Sequence, residues 1–261
     1  MSRLRFTVAY DGTSYAGWQI QPGQITVQQV LQEAFADLTG ESVKVHGSGR
    51  TDAGVHAAGQ VIHVDTLCTL SPIAFVRALN VRLPQDIRML DGEVADDAFH
   101  ARKSAIAKEY RYYIYQGEII LPHVRLYRAH VHKTLDVDAM RQALSLLEGT
   151  HDFAAFSANP DREVETTVRT IFSVGLQSHG SELMLSLRGD GFLYKMVRSI
   201  AGWLIRVGRG QVPPEDTQSV LDSRVRTAAV PTAAPEGLFL WRVEYGTGCW
   251  YQKPGSVSFG A

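Results

Sequence analysis

Two spacings of hydrophobic and polar residues follow one another along the chain and predict its elements. Residues 4–10, LRFTVAY, alternate apolar and polar side chains, as a half-buried strand does. After Thr26, apolar residues recur at helical spacing, Thr26 and Gln29 have the spacing of a capping box, and Gly40 ends the run. The patterns of the first half predict strands near 4–10, 43–48, 58–65 and 86–95, and helices at 26–40 and 71–82.

The second half repeats this order without obvious sequence identity to the first. The patterns predict a strand at 105–116, a helix from Asp136 that stops at Gly149, a hairpin of strands 169–177 and 182–188, a helix at 192–207 and a last strand at 237–245.

Each half therefore has the order β-α-β-β-α-β, which is that of a ferredoxin-like fold. We predict an α+β fold with two ferredoxin-like halves, residues 1–104 and 105–245, whose antiparallel sheets join and leave a central cleft. Residues 246–261 are expected to form a tail.

Composition bounds the class of protein. Apolar residues make up 45% and charged residues 20%, which is typical of a globular chain. There is no apolar run of membrane-spanning length, and the N-terminus lacks the apolar stretch of a signal peptide. Cys68 and Cys249 stand alone, so the sequence signals neither a disulfide framework nor a zinc site. We expect a cytoplasmic protein without a metal.

Charge changes this picture through its distribution. The net charge is −1, but residues 99–133 hold seven Lys and Arg against two acids, and residues 188–210 hold five against one. Of the 26 cationic side chains 20 are Arg, whose planar guanidinium fits phosphate well. The basic segments indicate either a nucleic-acid surface or merely solvated faces of strands and helices.

The stretch GSGRTDAGVHAAGQ, residues 47–60, places Asp52 among small residues and beside Arg50. It is not a phosphate-binding loop, because the carboxylate would repel phosphate oxygens and no GK[ST] follows. It is not a glycosidase pair either, because no second carboxylate lies nearby in sequence. Two interpretations of Asp52 remain. It is either a lone nucleophile or base, which a ligand reaches past the small residues, or a residue that stabilises a tight turn.

Two basic segments carry further candidates. In KEYRYYIY, residues 108–115, Tyr110 is an aromatic residue flanked by cations, which is typical of a platform for an unstacked base, although aromatics also favour strands in general. In GDGFLYKMVRSIAG, Lys195 and Arg198 are three residues apart. On a helix surface both would point at one anion, unless they are simply the solvated side of that helix.

Six segments together resemble the tRNA pseudouridine synthase A family. They are YDGTSYAGWQIQPGQITVQ, GSGRTDAGVHAAGQV, KEYRYYIY, GTHDFAAF, GDGFLYKMVRSIAG and PEGLFLWRVEY, which occur in the family's order between residues 4 and 245. The GRTDAGVHA core is highly specific to that family. Glu109 stands where Thr is frequent, and its side chain is expected to point away from Tyr110.

The resemblance implies an enzyme that isomerises uridine to pseudouridine in the anticodon stem-loop of tRNA, at positions 38, 39 and 40, without a cofactor. Asp52 would be the essential carboxylate and Arg198 its ion-pair partner. Tyr110 would stack on the flipped base and help to move the proton of C5. Arg50 would assist extrusion of the nucleotide, and Arg50 and Lys195 would contact the RNA.

The family also suggests a homodimer in which one subunit helps to hold the RNA processed by the other. The sequence leaves open whether Asp52 attacks C1′, adds to C6 or removes a ribose proton. The alternative to an enzyme is a non-catalytic RNA-binding module on the same fold. Asp52 discriminates between the two, because a pure binder gains nothing from a carboxylate that faces a polyanion.

Overall fold

The computed structural model describes residues 1–158 and 165–246, in which the chain forms a mixed α+β architecture. The strands are β1 (Ser2–Tyr10), β2 (His46–Gly47), β3 (His56–Thr66), β4 (Ile87–Val94), β5 (Ala105–Gln116), β6 (Ala129–Val131), β7 (Gly149–Asp152), β8 (Val168–His179), β9 (Glu182–Gly189) and β10 (Leu238–Tyr245). The α-helices are α1 (Val27–Thr39), α2 (Pro72–Arg82), α3 (Val137–Ser145), α4 (Met196–Gly208) and α5 (Asp216–Ser223). No helix in these ranges has the length and apolar character needed to cross a membrane.

The strands of the described ranges form one large sheet. Its order is β4-β1-β3-β10-β5-β9-β8-β7, with β2 added to β3 and β6 added to β5. Pairing is antiparallel except between β10 and β3 and between β5 and β6. The C-terminal strand β10 therefore joins the strands of the first half to those of the second in a continuous sheet.

The register of β10 brings two of the predicted site segments together. Leu240 of β10 pairs with Ala57 of β3 on one side and with Tyr110 of β5 on the other. Neighbouring strands lie about 4.8 Å apart, so the start of β3 and the middle of β5 are separated by about 10 Å. Asp52 lies in the loop that leads into β3, and the sheet thus places this loop beside Tyr110.

The core extends without interruption through both halves of the described chain. In the first half Phe6 of β1, Phe35 of α1 and Phe75 of α2 form an aromatic cluster with ring centroids 5.7 to 6.1 Å apart. In the second half Trp203 of α4 is buried, and its indole N–H donates to Thr217 Oγ1 of α5 at 2.9 Å. This packing fixes α4 against its neighbours.

The helix starts that sequence patterns predict in the first half are confirmed. Thr26 accepts a hydrogen bond from the backbone of Gln29 at 3.4 Å, and Ser71 caps α2 with Pro72 in its first turn. Only half of the predicted capping box forms, because the Gln29 side chain donates to Glu33 Oε1 instead of returning to Thr26.

The start of α4 was predicted wrongly. The helix begins at Met196 instead of residue 192, because Lys195 has φ +57° and lies in the left-handed region, where a right-handed helix cannot continue. Phe192 therefore lies outside the helix, and Lys195 is not on its surface. Two smaller differences are that α3 ends at Ser145 and that β2 has only two residues. Of the predicted tail 246–261, residues 247–261 lie outside the described residues.

Candidate active site

The loop that carries Asp52 is held by close backbone approach from residues 11–18. A Cβ on Gly12 would lie 2.0 Å from the carbonyl oxygen of Val55, and a Cβ on Gly17 would lie 2.6 Å from that of Thr51. Gly17 also has φ +93°, which side-chain-bearing residues rarely adopt. The glycines of YDGTSYAGW thus act as a scaffold for the Asp52 loop.

Asp52 and Arg198 form an ion pair across the two halves of the chain. Arg198 Nη1 donates to Asp52 Oδ2 at 2.8 Å, and the side chains are only 12% and 20% exposed, respectively. Arg198 Nε donates to the carbonyl of Ala233 at 2.8 Å, and the N–H of Ala233 donates back to the Arg198 carbonyl at 2.9 Å. The guanidinium is therefore fixed on two sides and holds the carboxylate in one orientation.

Gly202 allows this arrangement. It lies one helical turn after Arg198 in α4, and a Cβ there would lie 2.2 Å from the carbonyl oxygen of Pro231. Only glycine lets the segment around Ala233 come close enough to α4 to bind Arg198. The sequence shows this glycine within SIAGW but not what it meets.

Tyr110 lies beside this pair and is 8% exposed. Its ring meets that of Phe192 edge to face, with centroids 5.0 Å apart. Burial, followed by the nearby Tyr10 and Asp52, raises the pKa of Tyr110 well above its ordinary value. The phenol is therefore protonated at neutral pH and offers a hydrogen-bond donor. Its neighbour on the same strand face, Tyr112, is fully buried and donates to the Ala234 carbonyl instead.

The remaining predicted residues, Arg50 and Lys195, line the same cleft. Arg50 is exposed. The Lys195 ammonium lies 4.9 Å from the centroid of the exposed Tyr194 ring. The helical spacing from which Lys195 and Arg198 were expected to share an anion is absent, since Lys195 precedes the helix and Arg198 is bound to Asp52.

The cleft around Asp52 has a volume of about 2090 Å³ and is strongly basic. In the described part of the chain the only acids that line it are Asp52 and Glu165. The cations that line it are Arg50, Arg102, Lys103, Lys108, Arg169, Lys195, Arg198, Arg224 and Arg226. Although the net charge of the chain is near zero, the charge of the cleft is suited to binding a polyanion. Sequence reasoning missed Arg169, Arg224 and Arg226, which stand outside the two basic segments.

Three histidines, two of which line the cleft, lie close enough to hold a metal ion, but their hydrogen bonds oppose it. The ring nitrogens of His46, His63 and His100 lie within 4.8 Å of one another. Nδ1 of His63 accepts the N–H of Ala101, and Nδ1 of His100 accepts that of Arg102, so each neutral ring carries its proton on Nε2. An Nε2 that carries a proton offers no lone pair to a metal. Burial lowers the pKa of His63 to about 4, so its ring is neutral at pH 7.

Comparison with known proteins matches most of the chain. The model of a family described as tRNA pseudouridine synthase matches residues 7–102 and 143–246. The chain is 47% identical over 245 residues to the tRNA pseudouridine synthase A of an Exiguobacterium species, covering 94% of this chain and 98% of that one. It is 45% identical to that of Bacillus subtilis, over 93% of this chain and 99% of that one. With that of Shouchella clausii the identity is 44%, over 99% of both chains.

Proposed function

The chain belongs to the tRNA pseudouridine synthase family, and we propose that it modifies uridines of the anticodon stem-loop with Asp52 as the catalytic carboxylate. The observation that carries the assignment of Asp52 is its ion pair with Arg198 within a basic cleft, at 2.8 Å and beside Tyr110. A carboxylate in an RNA-binding cleft opposes binding, so its presence there is best explained by chemistry.

The reaction breaks the bond between N1 of uracil and C1′ of the ribose and forms a bond between C5 and C1′. C5 loses its proton and N1 gains one, so the isomerisation is balanced without a cofactor. The nucleotide must leave the helix stack to reach Asp52, and a cleft of about 2090 Å³ has room for it. Asp52 then acts on C1′, on C6 or on a ribose proton, and each of these routes requires the ionised carboxylate that Arg198 holds.

Tyr110 is assigned two roles, a stacking surface for the flipped uracil and a hydroxyl that relays a proton. Its edge-to-face contact with Phe192 restrains the orientation of the ring, which lines the cleft. Its raised pKa means that the hydroxyl enters the reaction as a donor. It can deliver its proton to the base only as it receives one, for example that released from C5.

Tyr110→Phe is expected to bind tRNA with near wild-type affinity and to react about 100-fold more slowly, because stacking survives and the hydroxyl does not. Tyr110→Ala should lose both binding and turnover. The measurement is single-turnover pseudouridine formation at saturating tRNA, together with the affinity of each protein for tRNA. Equal rates for Tyr110→Phe and wild type would reduce Tyr110 to a stacking platform. Tyr113→Phe is a matched control, since Tyr113 packs against Phe239 and does not line the cleft.

Binding of tRNA is expected to weaken steeply with salt despite the net charge of −1. Each phosphate neutralised by a cation of the cleft releases counterions, with a slope of log affinity against log salt of about −0.9 per contact on duplex and about −0.7 on single strands. Titration of affinity against salt measures the slope. A flat response would mean that the basic cleft is not the path of the RNA.

Three further proposals concern the setting of the reaction. The four main strands of each half lie in the same order in the sheet, namely fourth, first, third and second along the chain. The order is β4-β1-β3-β2 before residue 104 and β10-β5-β9-β8 after it. This supports two ferredoxin-like halves, 1–104 and 105–245, as the units of the fold.

We also propose that two copies act together, one helping to hold the tRNA that the other modifies. We place the enzyme in the cytoplasm, where its substrate is.

The proposed target is tested with tRNA transcripts in which the uridines of the anticodon stem-loop are replaced by cytidine. The account expects the purified enzyme to form pseudouridine in the unaltered transcript and none in the substituted one. Modification that persists outside the anticodon stem-loop would contradict the assigned target and leave the family membership untouched.

A further inference from the structure

We propose that Lys108, together with Arg102 and Arg169, forms a subsite of the cleft that binds one backbone phosphate flanking the extruded uridine. This inference rests on the proposed function, because it requires RNA in the cleft beside Asp52. It assigns a substrate contact to three cations that neither the ion pair nor the stacking platform uses.

The position of Lys108 is the first argument. Its ammonium donates to the Ser48 carbonyl at 2.7 Å, at the base of the loop that carries Asp52. A Cβ on Gly49 would lie 3.4 Å from Lys108 Nζ and 3.9 Å from the Tyr110 hydroxyl. The ammonium and the phenol therefore flank Gly49, and its lack of a side chain keeps the space between them open to a ligand.

The hydrogen-bonding capacity of Lys108 is the second argument. An ammonium has three N–H donors, and within the described residues this one donates to the Ser48 carbonyl. The side chain is half-buried and lines the cleft. A phosphate oxygen that enters the cleft can accept a hydrogen bond from the same ammonium.

Charge is the third argument, and it selects phosphate over a base. Burial, and then the like charges of Arg102 and Arg169, lower the pKa of Lys108 to about 8. Elsewhere in the structure Arg188 is paired with the carboxylate of Glu244 and Arg3 with that of Asp65. Within the described residues no carboxylate lies within ion-pair distance of Lys108, Arg102 or Arg169. Three mutually repelling cations are stabilised by an anion, whereas a uracil carbonyl would satisfy one donor and leave the repulsion in place.

The lowered pKa supplies a readout that a purely structural lysine lacks. Lys108 is charged below pH 8 and loses its charge as the pH rises through that value, so RNA affinity should fall on the alkaline side. The neighbouring groups should not cause a loss of positive charge near pH 8. The guanidinium groups stay charged. The pKa of Tyr110 is raised, and the pKa values of His46 and His100 are lowered. The ionisable groups that face Lys108 or line the cleft beside it are Arg102, Lys103, Arg169, Tyr110, Asp52, His46 and His100, and the variant Lys108→Arg keeps all of them.

The test measures affinity for a tRNA transcript between pH 6.5 and 9.5, with every variant made in the Asp52→Asn protein so that no turnover occurs. With Lys108 present we expect affinity to fall about tenfold across pH 8, the size of one charge-assisted hydrogen bond. Lys108→Arg should bind as well as its parent at pH 7 and lose the alkaline decline. Lys108→Met should bind about tenfold more weakly at pH 7 and be equally flat. Arg77→Met removes a charge from the exposed face of α2, outside the cleft, and should behave as the parent.

Substituted RNA identifies the phosphate. A methylphosphonate linkage removes the charge of one phosphate, and it is introduced in turn at each linkage of the anticodon stem-loop. At one linkage that flanks the target uridine, the losses from the RNA change and from Lys108→Met should not add, because both remove the same contact. Additivity at every linkage would overturn the proposal. So would an alkaline decline that persists in Lys108→Arg.

A structural role for Lys108 predicts a different outcome. If its contact with Ser48 serves only to place the loop, Lys108→Met in the active protein slows turnover at saturating tRNA and leaves affinity unchanged, and this result would also overturn the proposal. Failure of Asp52 as the catalytic group would leave all of these binding results unaffected. If RNA does not enter the cleft at all, removal of another cation that lines the cleft, as in Arg224→Met, also leaves affinity unchanged, which separates that failure from this one.

Discussion

Asp52→Asn is expected to lower the rate of pseudouridine formation at least about 10³-fold while tRNA affinity stays unchanged or improves. Asparagine keeps the shape of the side chain and can still accept a hydrogen bond from Arg198, so the loop should stay in place. It cannot act as a nucleophile or a base. It also removes the central negative charge from a cleft whose described lining is dominated by cations, which favours a polyanion.

The measurement is single-turnover modification of tRNA by protein free of contaminating enzyme, beside the affinity of the same preparation. Asp138→Asn is the matched control, since Asp138 is exposed and pairs with Arg141 on the surface of α3. Substantial residual activity in Asp52→Asn would refute its catalytic role. If the chain were a non-catalytic RNA-binding module, neither the wild type nor Asp52→Asn would form pseudouridine, and the two rates would not differ.

Arg198→Ala is expected to give the second largest loss, about 10²-fold in the rate at saturating tRNA. The change removes the 2.8 Å contact that orients Asp52 and leaves that carboxylate without its counter-charge in a mostly enclosed site. It also removes the bond to the Ala233 carbonyl, so we expect the free energy of unfolding to fall by about 1 to 2 kcal/mol.

Arg198→Lys separates the charge from the geometry. Lysine restores a cation but cannot donate to Asp52 and Ala233 at once through a planar fork, so rescue should be incomplete. Rates and thermal melts of the three proteins are compared, with Arg206→Ala as a control on the same helix, where Arg206 bonds to the exposed Ala229 carbonyl. Wild-type rates in Arg198→Ala would show that the ion pair has no part in catalysis.

Periodic patterns predicted long elements well because burial on one face leaves a repeat in the sequence. The strand predicted at 105–116 is β5 with the same bounds, and Ser71 and Arg82 bound α2 as predicted. Short elements carry too few residues to repeat, and β6, β7 and α5 were therefore missed. The start of α4 was predicted wrongly because Lys195 has a positive φ, and the residue types around it do not indicate a positive φ at a residue other than glycine.

The site itself is beyond the reach of local patterns. Asp52 and Arg198 are 146 residues apart, and the expectation that they pair came from family resemblance instead of from spacing. Arg169, Arg224 and Arg226 stand in ordinary segments, and only the assembled fold brings them into one cleft. Gly17 and Gly202 are visible in the sequence, but the backbone atoms that they approach belong to distant residues.

The most direct test of the central claim is a map of pseudouridine in tRNA from cells that lack this protein and are then supplied with either the wild type or Asp52→Asn. The account predicts that pseudouridine disappears from the anticodon stem-loop in the deleted strain, returns with the wild type and does not return with Asp52→Asn at equal protein level. Pseudouridine that persists there in the deleted strain, or that returns with Asp52→Asn, would contradict it.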